Sequence, residues 1–326
     1  MKPFVTVVIP SKRWTRDCEE CLVKLRNQDY PRSDYEIIFV LDPPEDPKIP
    51  GIPSGVPPYP TTSVVYSPAP GVSDARNHGI SLSRGALLAF TDSDCRPNTD
   101  WLSRMVGCQQ KAGASIVTGP VVTDLERVLP PFRSATTNQQ SNIPHAPTCN
   151  VVYLKSAVTQ VGGFDPRFRS GEDTDLMLRV LEHGHNLVFC DGAVVVHELK
   201  ETSFFSLWKA SGGNEYHPLL FKLHMSWTRR YLRVKWRVTW DTMTSGGLLF
   251  SLLLWLVLSF AAGLPQTVVL PAVTFLLYAV SYARCLPESG RRLDRILFGS
   301  SVMFVYSLFA VLRRMQGSIR YRTLLI

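Results

Sequence analysis

The sequence predicts an α/β domain with a mostly parallel sheet, followed by C-terminal apolar helices long enough to cross a bilayer. Three observations carry this reading. Short β-branched runs alternate with helix-period segments through the first 200 residues. Carboxylates stand just beyond the carboxyl ends of two of those runs, at Asp42 and Asp92. From Thr242 to Ala283 no charged residue occurs, and Ile296 to Leu312 is a second uncharged apolar run.

Taken in order, Phe4 to Ile9 is nearly continuous in apolar character and reads as a central strand ending at Pro10-Ser11. A helix over roughly Arg16 to Asn27 follows, then a strand from Tyr35 to Leu41 with Asp42 at its carboxyl end. Pro43 to Pro60 is rich in proline and glycine and reads as a loop. Thr62 to Tyr66 suggests a third strand, and the segment from Gly71 opens a helix that runs towards Ser83. Strand, helix and strand at this spacing imply right-handed crossovers. Ala86 to Phe90 is a buried strand that ends in Asp92-Ser93-Asp94. Thr99 or Asp100 can cap a helix carrying Trp101, Leu102, Met105 and Val106, and Ala114 to Val122 reads as one further strand. Thr123 to Pro147 has weak periodicity and several prolines, as a mobile loop region near a site would. Asn150 to Leu154 returns the chain to the sheet, Leu176 to Leu181 has helical spacing, and Val194 to Val196 closes on His197.

The formal charge of +8 is not a nucleic-acid signature here. Much of the basic excess flanks the apolar runs: Lys222, Arg229, Arg230, Arg233, Lys235 and Arg237 before the first, Arg291, Arg292 and Arg295 before the last. Such flanks suit anionic lipid headgroups. Aromatics interleave with basic groups between Lys200 and Trp240, as in interfacial helices, with amphipathic globular helices the competing reading. The expected organisation is therefore a domain over 1–200, interfacial helices over 201–241, and a membrane region over 242–326. Gly246 to Gly263 and Thr267 to Ala283 are each near one span, and a third over Ile296 to Leu312 would carry Arg313, Arg314, Arg320 and Arg322 across. With the first domain inside, that violates the positive-inside tendency, so the segment is re-entrant or the rule fails. The sequence leaves this open.

The N-terminus lacks a signal peptide's apolar region, and seven cysteines at scattered spacing fit a reducing compartment. The first two thirds are expected in the cytoplasm. Cys18 and Cys21 form a Cys-x-x-Cys without a second pair, which reads as structural rather than as a zinc or redox site.

Chemistry gathers at four places. Asp92 and Asp94, two apart on an extended segment, would point the same way and share a divalent cation; a solvated turn is the plain alternative. The helix start near Gly71, with Arg76 close by, offers donors for a diphosphate or is an ordinary cap. Glu172 and Asp173 stand in a helix first turn, where the dipole favours the ionised carboxylate that a general base needs. His197 ends a strand and could complete a metal shell or be structural.

Together Val8-Ile9-Pro10, Ala75-Arg76-Asn77-x-Gly79, Asp92-Ser93-Asp94, Asn150-x-x-Tyr153, Gly162-Gly163-Phe164-Asp165 and Gly171-Glu172-Asp173-x-Asp175-Leu176 resemble family 2 glycosyltransferases with the GT-A fold, a Rossmann-like domain. The match covers roughly residues 3 to 200. The resemblance implies a nucleotide-sugar donor held by Pro10, Asp42, Arg76, Asn77, Asp92 and Ser93. It implies Mn²⁺ or Mg²⁺ on Asp94, Asp92 and His197, with Asp173 as catalytic base and Glu172 in support. It implies an inverting transfer, and the membrane anchor alone points to a lipid-linked or membrane-proximal hydroxyl as the acceptor, as in cell-envelope glycan or glycolipid synthesis. Processive synthases carry Gln-x-x-Arg-Trp after the base, yet no glutamine occurs between Glu172 and Pro265, which disfavours processivity. Asp42 also lacks the second acidic neighbour often found there. The alternative outside enzymology is a catalytically silent sugar-nucleotide-binding subunit of a membrane assembly.

Overall fold

A computed structural model describes residues 2–43, 60–123, 145–197, 211–227, 309 and 312–323. The expected loop over Pro43 to Pro60 falls almost wholly outside these residues, as do most of Thr123 to Pro147 and of the interfacial segment. The apolar runs from Thr242 to Ala283 and Ile296 to Leu312 lie outside as well, save Phe309 and Leu312. Among the described residues no helix is long and apolar enough to cross a membrane. The chain forms two compact units, residues 1–126 with 134–199 and residues 127–133 with 200–326.

The first unit is built on a seven-stranded sheet. Its strands are β1 (Val5–Ser11), β2 (Tyr35–Leu41), β3 (Thr61–Tyr66), β4 (Leu87–Phe90), β6 (Ile116–Thr118), β8 (Val151–Leu154) and β9 (Leu187–Phe189), in the order β3-β2-β1-β4-β8-β6-β9. Strands β1 to β4 pair in parallel, while β8 runs antiparallel to both its neighbours. β2 and β4 are buried on both faces, which is why their sequences show no alternation. Helices α1 (Arg16–Arg26) and α3 (Trp101–Ala112) cover one face, where Cys18, Cys21, Leu22, Leu25, Trp101 and Met105 join the strands in one core cluster. Helix α2 (Val72–Leu82) covers the other. A methyl on Gly79 would press into Val8 and Val40 there, so the glycine permits the close approach of α2 to β1 and β2. Helices α4 (Lys155–Gln160) and α5 (Glu172–Glu182) complete the unit. Cys18 and Cys21 are buried free thiols within the core, consistent with a structural role.

A second, three-stranded sheet has the order β5-β10-β7, from β5 (Cys95–Pro97), β10 (Val195–His197) and β7 (Val121–Thr123). The single strand expected over Ala114 to Val122 is therefore two strands in two sheets. The break falls at Gly119-Pro120: proline donates no backbone hydrogen bond, and a methyl on Gly119 would overlap the Ala193 carbonyl oxygen. Gly119→Ala is expected to destabilise the protein by about 1–3 kcal/mol in thermal unfolding, because the obstacle is backbone. Gly107→Ala in α3, where nothing lies within 4 Å of the new methyl, should be neutral or stabilising.

The expectation of reduced thiols is corrected at one pair. Cys108, near the end of α3, is disulfide-bonded to Cys190, just after β9, with Cα atoms 6.1 Å apart. The residues are 82 positions apart in sequence, so spacing alone does not pair them. In the second unit, Ser211–Tyr216 is a short 3₁₀ helix that leads into α6 (His217–Leu223), and residues 312–321 form α7.

Candidate active site

The site forms at the carboxyl ends of β1, β2 and β4. Beyond β4 the chain is pinned by Thr91, whose hydroxyl donates to the Cys149 carbonyl at 3.0 Å. Asp92 and Asp94 then fall in a turn closed by the Cys95 amide donating to the Asp92 carbonyl at 3.0 Å. The two carboxylates converge through this turn, and not along an extended segment as the spacing suggested. The turn has its own anchor in the buried Arg96. Its guanidinium donates to the Ser93 carbonyl at 3.2 Å and to Glu20 of α1 at 2.8 Å.

β10 delivers His197 to this turn. Its antiparallel register places His197 opposite Cys95, and Nε2 lies 3.4 Å from Asp94 Oδ1. One ligand atom from each of Asp92, Asp94, Cys95 and His197 falls within 4.8 Å of the others. Two carboxylates and an imidazole at this separation fit a divalent cation of the Mn²⁺ type. The hydrogen bond to Asp94 pushes the His197 pKa above its ordinary value of 6.5, against the opposing effect of burial. A cation needs the neutral ring, so proton and metal compete for it. Mn²⁺ affinity is thus expected to be weakest where His197 is protonated and to rise with pH through its raised pKa. Electron paramagnetic resonance of free Mn²⁺ across a pH series reads this directly.

Arg76 joins the acidic turn to the Glu172-Asp173 pair. It is 2% exposed, and its guanidinium donates to Asp92 Oδ1 at 2.9 Å and to Glu172 Oε1 at 2.6 Å. Phe164 lies against it, with the guanidinium carbon 5.4 Å from the ring centroid. Burial pushes the Glu172 pKa up, against the pull of Arg76. Asp173, half-buried beside it, accepts the Thr174 amide at 2.7 Å. Gly171, at φ +81°, makes the left-handed entry to α5 that starts the helix at Glu172.

The other predicted donor residues take separate places. Asp42 accepts the Gly71 amide at 3.0 Å, which ties the end of β2 to the start of α2. Pro10 is buried in β1, beyond the last residue that pairs with β4, so its missing N–H leaves no gap in that ladder. Asn77 does not turn to the carboxylates: its amide brackets Phe164, donating to the carbonyl and accepting the N–H, both at 2.8 Å. Ser93 sits at the turn between the two aspartates.

Two supporting residues had no role assigned from sequence. Arg96 is one. Asn150, fully buried, is the other: it accepts Trp101 Nε1 and donates to the Pro120 and Ala193 carbonyls, each at 2.8 Å. It thereby locks the strand break and the approach to His197. Its place within Asn150-x-x-Tyr153 was the available signal.

Comparison with known proteins gives the family and the fold. The "Glycosyl transferase family 2" model matches residues 6–164 and the "Glycosyl transferase family group 2" model matches residues 127–312. The chain belongs to the family 2 glycosyltransferases. It is 30% identical over 207 residues to glycosyltransferase AglE of Haloferax volcanii, covering 60% of this chain and 67% of that protein. It is 27% identical over 206 residues to the succinoglycan biosynthesis protein ExoM of Rhizobium meliloti, covering 59% of this chain and 66% of the relative. With pre-mycofactocin glycosyltransferase of Mycobacterium tuberculosis the identity is 30%, over 39% of this chain and 30% of that protein. Among solved structures, the mannosyltransferase PcManGT from Pyrobaculum calidifontis, in complex with GDP-Man and Mn²⁺, superposes with a TM-score of 0.61 at 17% identity, covering 97% of this chain and 88% of that one. That likeness shows the GT-A fold.

Proposed function

We propose that this chain moves one sugar from a nucleotide-sugar donor to a hydroxyl of a lipid-linked or membrane-proximal acceptor, with inversion at the anomeric carbon. The observation that carries the reading is the cluster of Asp92, Asp94 and His197, joined through Arg76 to Glu172. Asp94, Asp92 and His197 would hold Mn²⁺ or Mg²⁺, which supplies charge neutralisation to a departing nucleoside diphosphate. Asp42 and Pro10, at the ends of β2 and β1, and Ser93 in the acidic turn would border the donor, and Asn77 would support the site through the Phe164 backbone that it brackets. Asp173 accepts the proton of the acceptor hydroxyl, which attacks from the face opposite the leaving group. Arg76 would hold Glu172 in place beside Asp173.

The acceptor and the location rest on the sequence. The apolar runs beyond Thr242 support a multi-pass chain of the cell membrane with its catalytic unit on the cytoplasmic side. The test is thermal stabilisation of the full chain in detergent by a panel of nucleotide sugars, with Mn²⁺ or with EDTA. GDP-sugars come first, because the structural relative was solved with one. One donor is expected to stabilise the protein, and only with the cation. No stabilisation by any donor, or the same shift in EDTA, would remove the metal-assisted reading.

A further inference from the structure

Helix α7 has two unlike faces. On one, Gly317 is buried, and a methyl there would overlap the Glu215 carbonyl oxygen and meet Pro218. Arg320 pairs with Glu215 at 2.7 Å, the Tyr321 carbonyl accepts Lys222 Nζ at 3.1 Å, and the Tyr216 and Tyr321 rings lie 6.4 Å apart. α7 is thus docked on the Ser211–Tyr216 turn and α6. On the opposite face Leu312, Met315 and Ile319 follow one another at spacings of three and four, and they are 43%, 52% and 79% exposed. Leu223 and Met225, on either side of the buried His224, are exposed too. Residues 312–323 contain Arg313, Arg314, Arg320 and Arg322 and no acidic residue. Glu215 takes up part of that charge, at 2.7 Å from Arg320 and 3.9 Å from Arg313, and what is left is an exposed apolar stripe on a net basic helix. It matches the boundary between anionic headgroups and acyl chains in both polarity and charge.

We infer that α7 lies in the plane of an anionic lipid surface, on the side of the bilayer from which the chain departs after His197. The inference rests on the membrane reading above and adds sidedness and lipid charge to it. Residues 198–210 separate β10 from the Ser211–Tyr216 turn, too few for the roughly 20 of a helical span. Their sequence includes Glu198, Lys200 and Glu201. Ser211–Leu223 therefore stays on the side of the first unit, and α7, docked on it, has come back to that side. The conflict between a third span and the positive-inside tendency then disappears, since the four arginines end where that tendency puts them.

The experiment uses the full chain in nanodiscs of phosphatidylcholine, with or without phosphatidylglycerol, bearing a polarity-sensitive dye on a non-natural residue at position 319. In phosphatidylglycerol discs the emission should shift to the blue and be quenched by lipid-borne nitroxide, with the effect reduced several-fold by high salt or by phosphatidylcholine alone. A disc-bound chain whose dye stays in water overturns the lipid contact, as does stripe burial that appears only when a protein extract is added. Sidedness is read from tags at the two ends in inverted membrane vesicles, where protease should reach both. Cleavage of one tag alone overturns it. A chain that never enters discs and stays in the supernatant instead defeats the membrane reading itself.

Discussion

Asp94→Asn is expected to lower kcat/KM about a thousandfold while leaving the fold intact. Asp94 is the carboxylate that meets His197, and Asp92 already gives one oxygen to Arg76. The amide keeps the size of the side chain but removes the charge that a cation and a diphosphate both require nearby. Loss should therefore appear in Mn²⁺ affinity and in rate together, with an unchanged melting temperature for the metal-free protein within about 1 kcal/mol of stability. Mn²⁺ titration and initial rates across a series of sub-saturating donor concentrations check both halves. A variant that binds Mn²⁺ normally would move the cation site away from this turn.

Asp173→Asn should fall by about 10² to 10⁴ in kcat, with donor affinity and Mn²⁺ affinity unchanged. The separation of effects follows from position, because Asp173 lies in the first turn of α5 and is not a member of the Asp92, Asp94, Cys95 and His197 cluster. Single-turnover rates with donor prebound isolate this step. Equal activity in the variant would remove Asp173 as the base. Glu172→Gln is a different experiment, since it removes one of the two carboxylates paired with the buried Arg76 and is expected to show first as lost stability.

The central strands of the large sheet were legible because they are apolar throughout, whereas the three-residue β9 at its edge was not read. Val5 to Ile9, Ile37 to Leu41 and Leu87 to Phe90 are nearly all fully buried, and each announces itself by composition alone. Of the small sheet only β10 was legible, as the run Val194 to Val196 that closes on His197. β5, β7 and β10 have three residues each, too few for a period, and β5 reads Cys-Arg-Pro. The types of the site residues were legible from the carboxylates and the histidine, while their geometry was not. The Asp92-to-Cys95 turn depends on Arg96 and on an ion pair to Glu20, 76 residues away in sequence. Arg76 showed the same gap: a surface cation near a helix start was one reading, and burial between two carboxylates is what three-dimensional packing made of it. The Cys108–Cys190 bridge likewise depends on a long-range approach that no local spacing encodes.

The two-sheet construction has a dynamic consequence. Asp92 and Asp94 hang from a strand at the middle of a seven-stranded sheet, whereas His197 ends a three-residue strand whose partners are equally short. Segments with so few ladder bonds open at a lower free energy than the core that supports them. The histidine therefore belongs to a less protected layer than the carboxylates it meets. In native-state hydrogen exchange, the amides of Val195 to His197 should exchange well before those of Val7 to Ile9. Mn²⁺ should slow the first set and leave the second alone, so that the cation acts as a latch between a rigid half of the site and a breathing one.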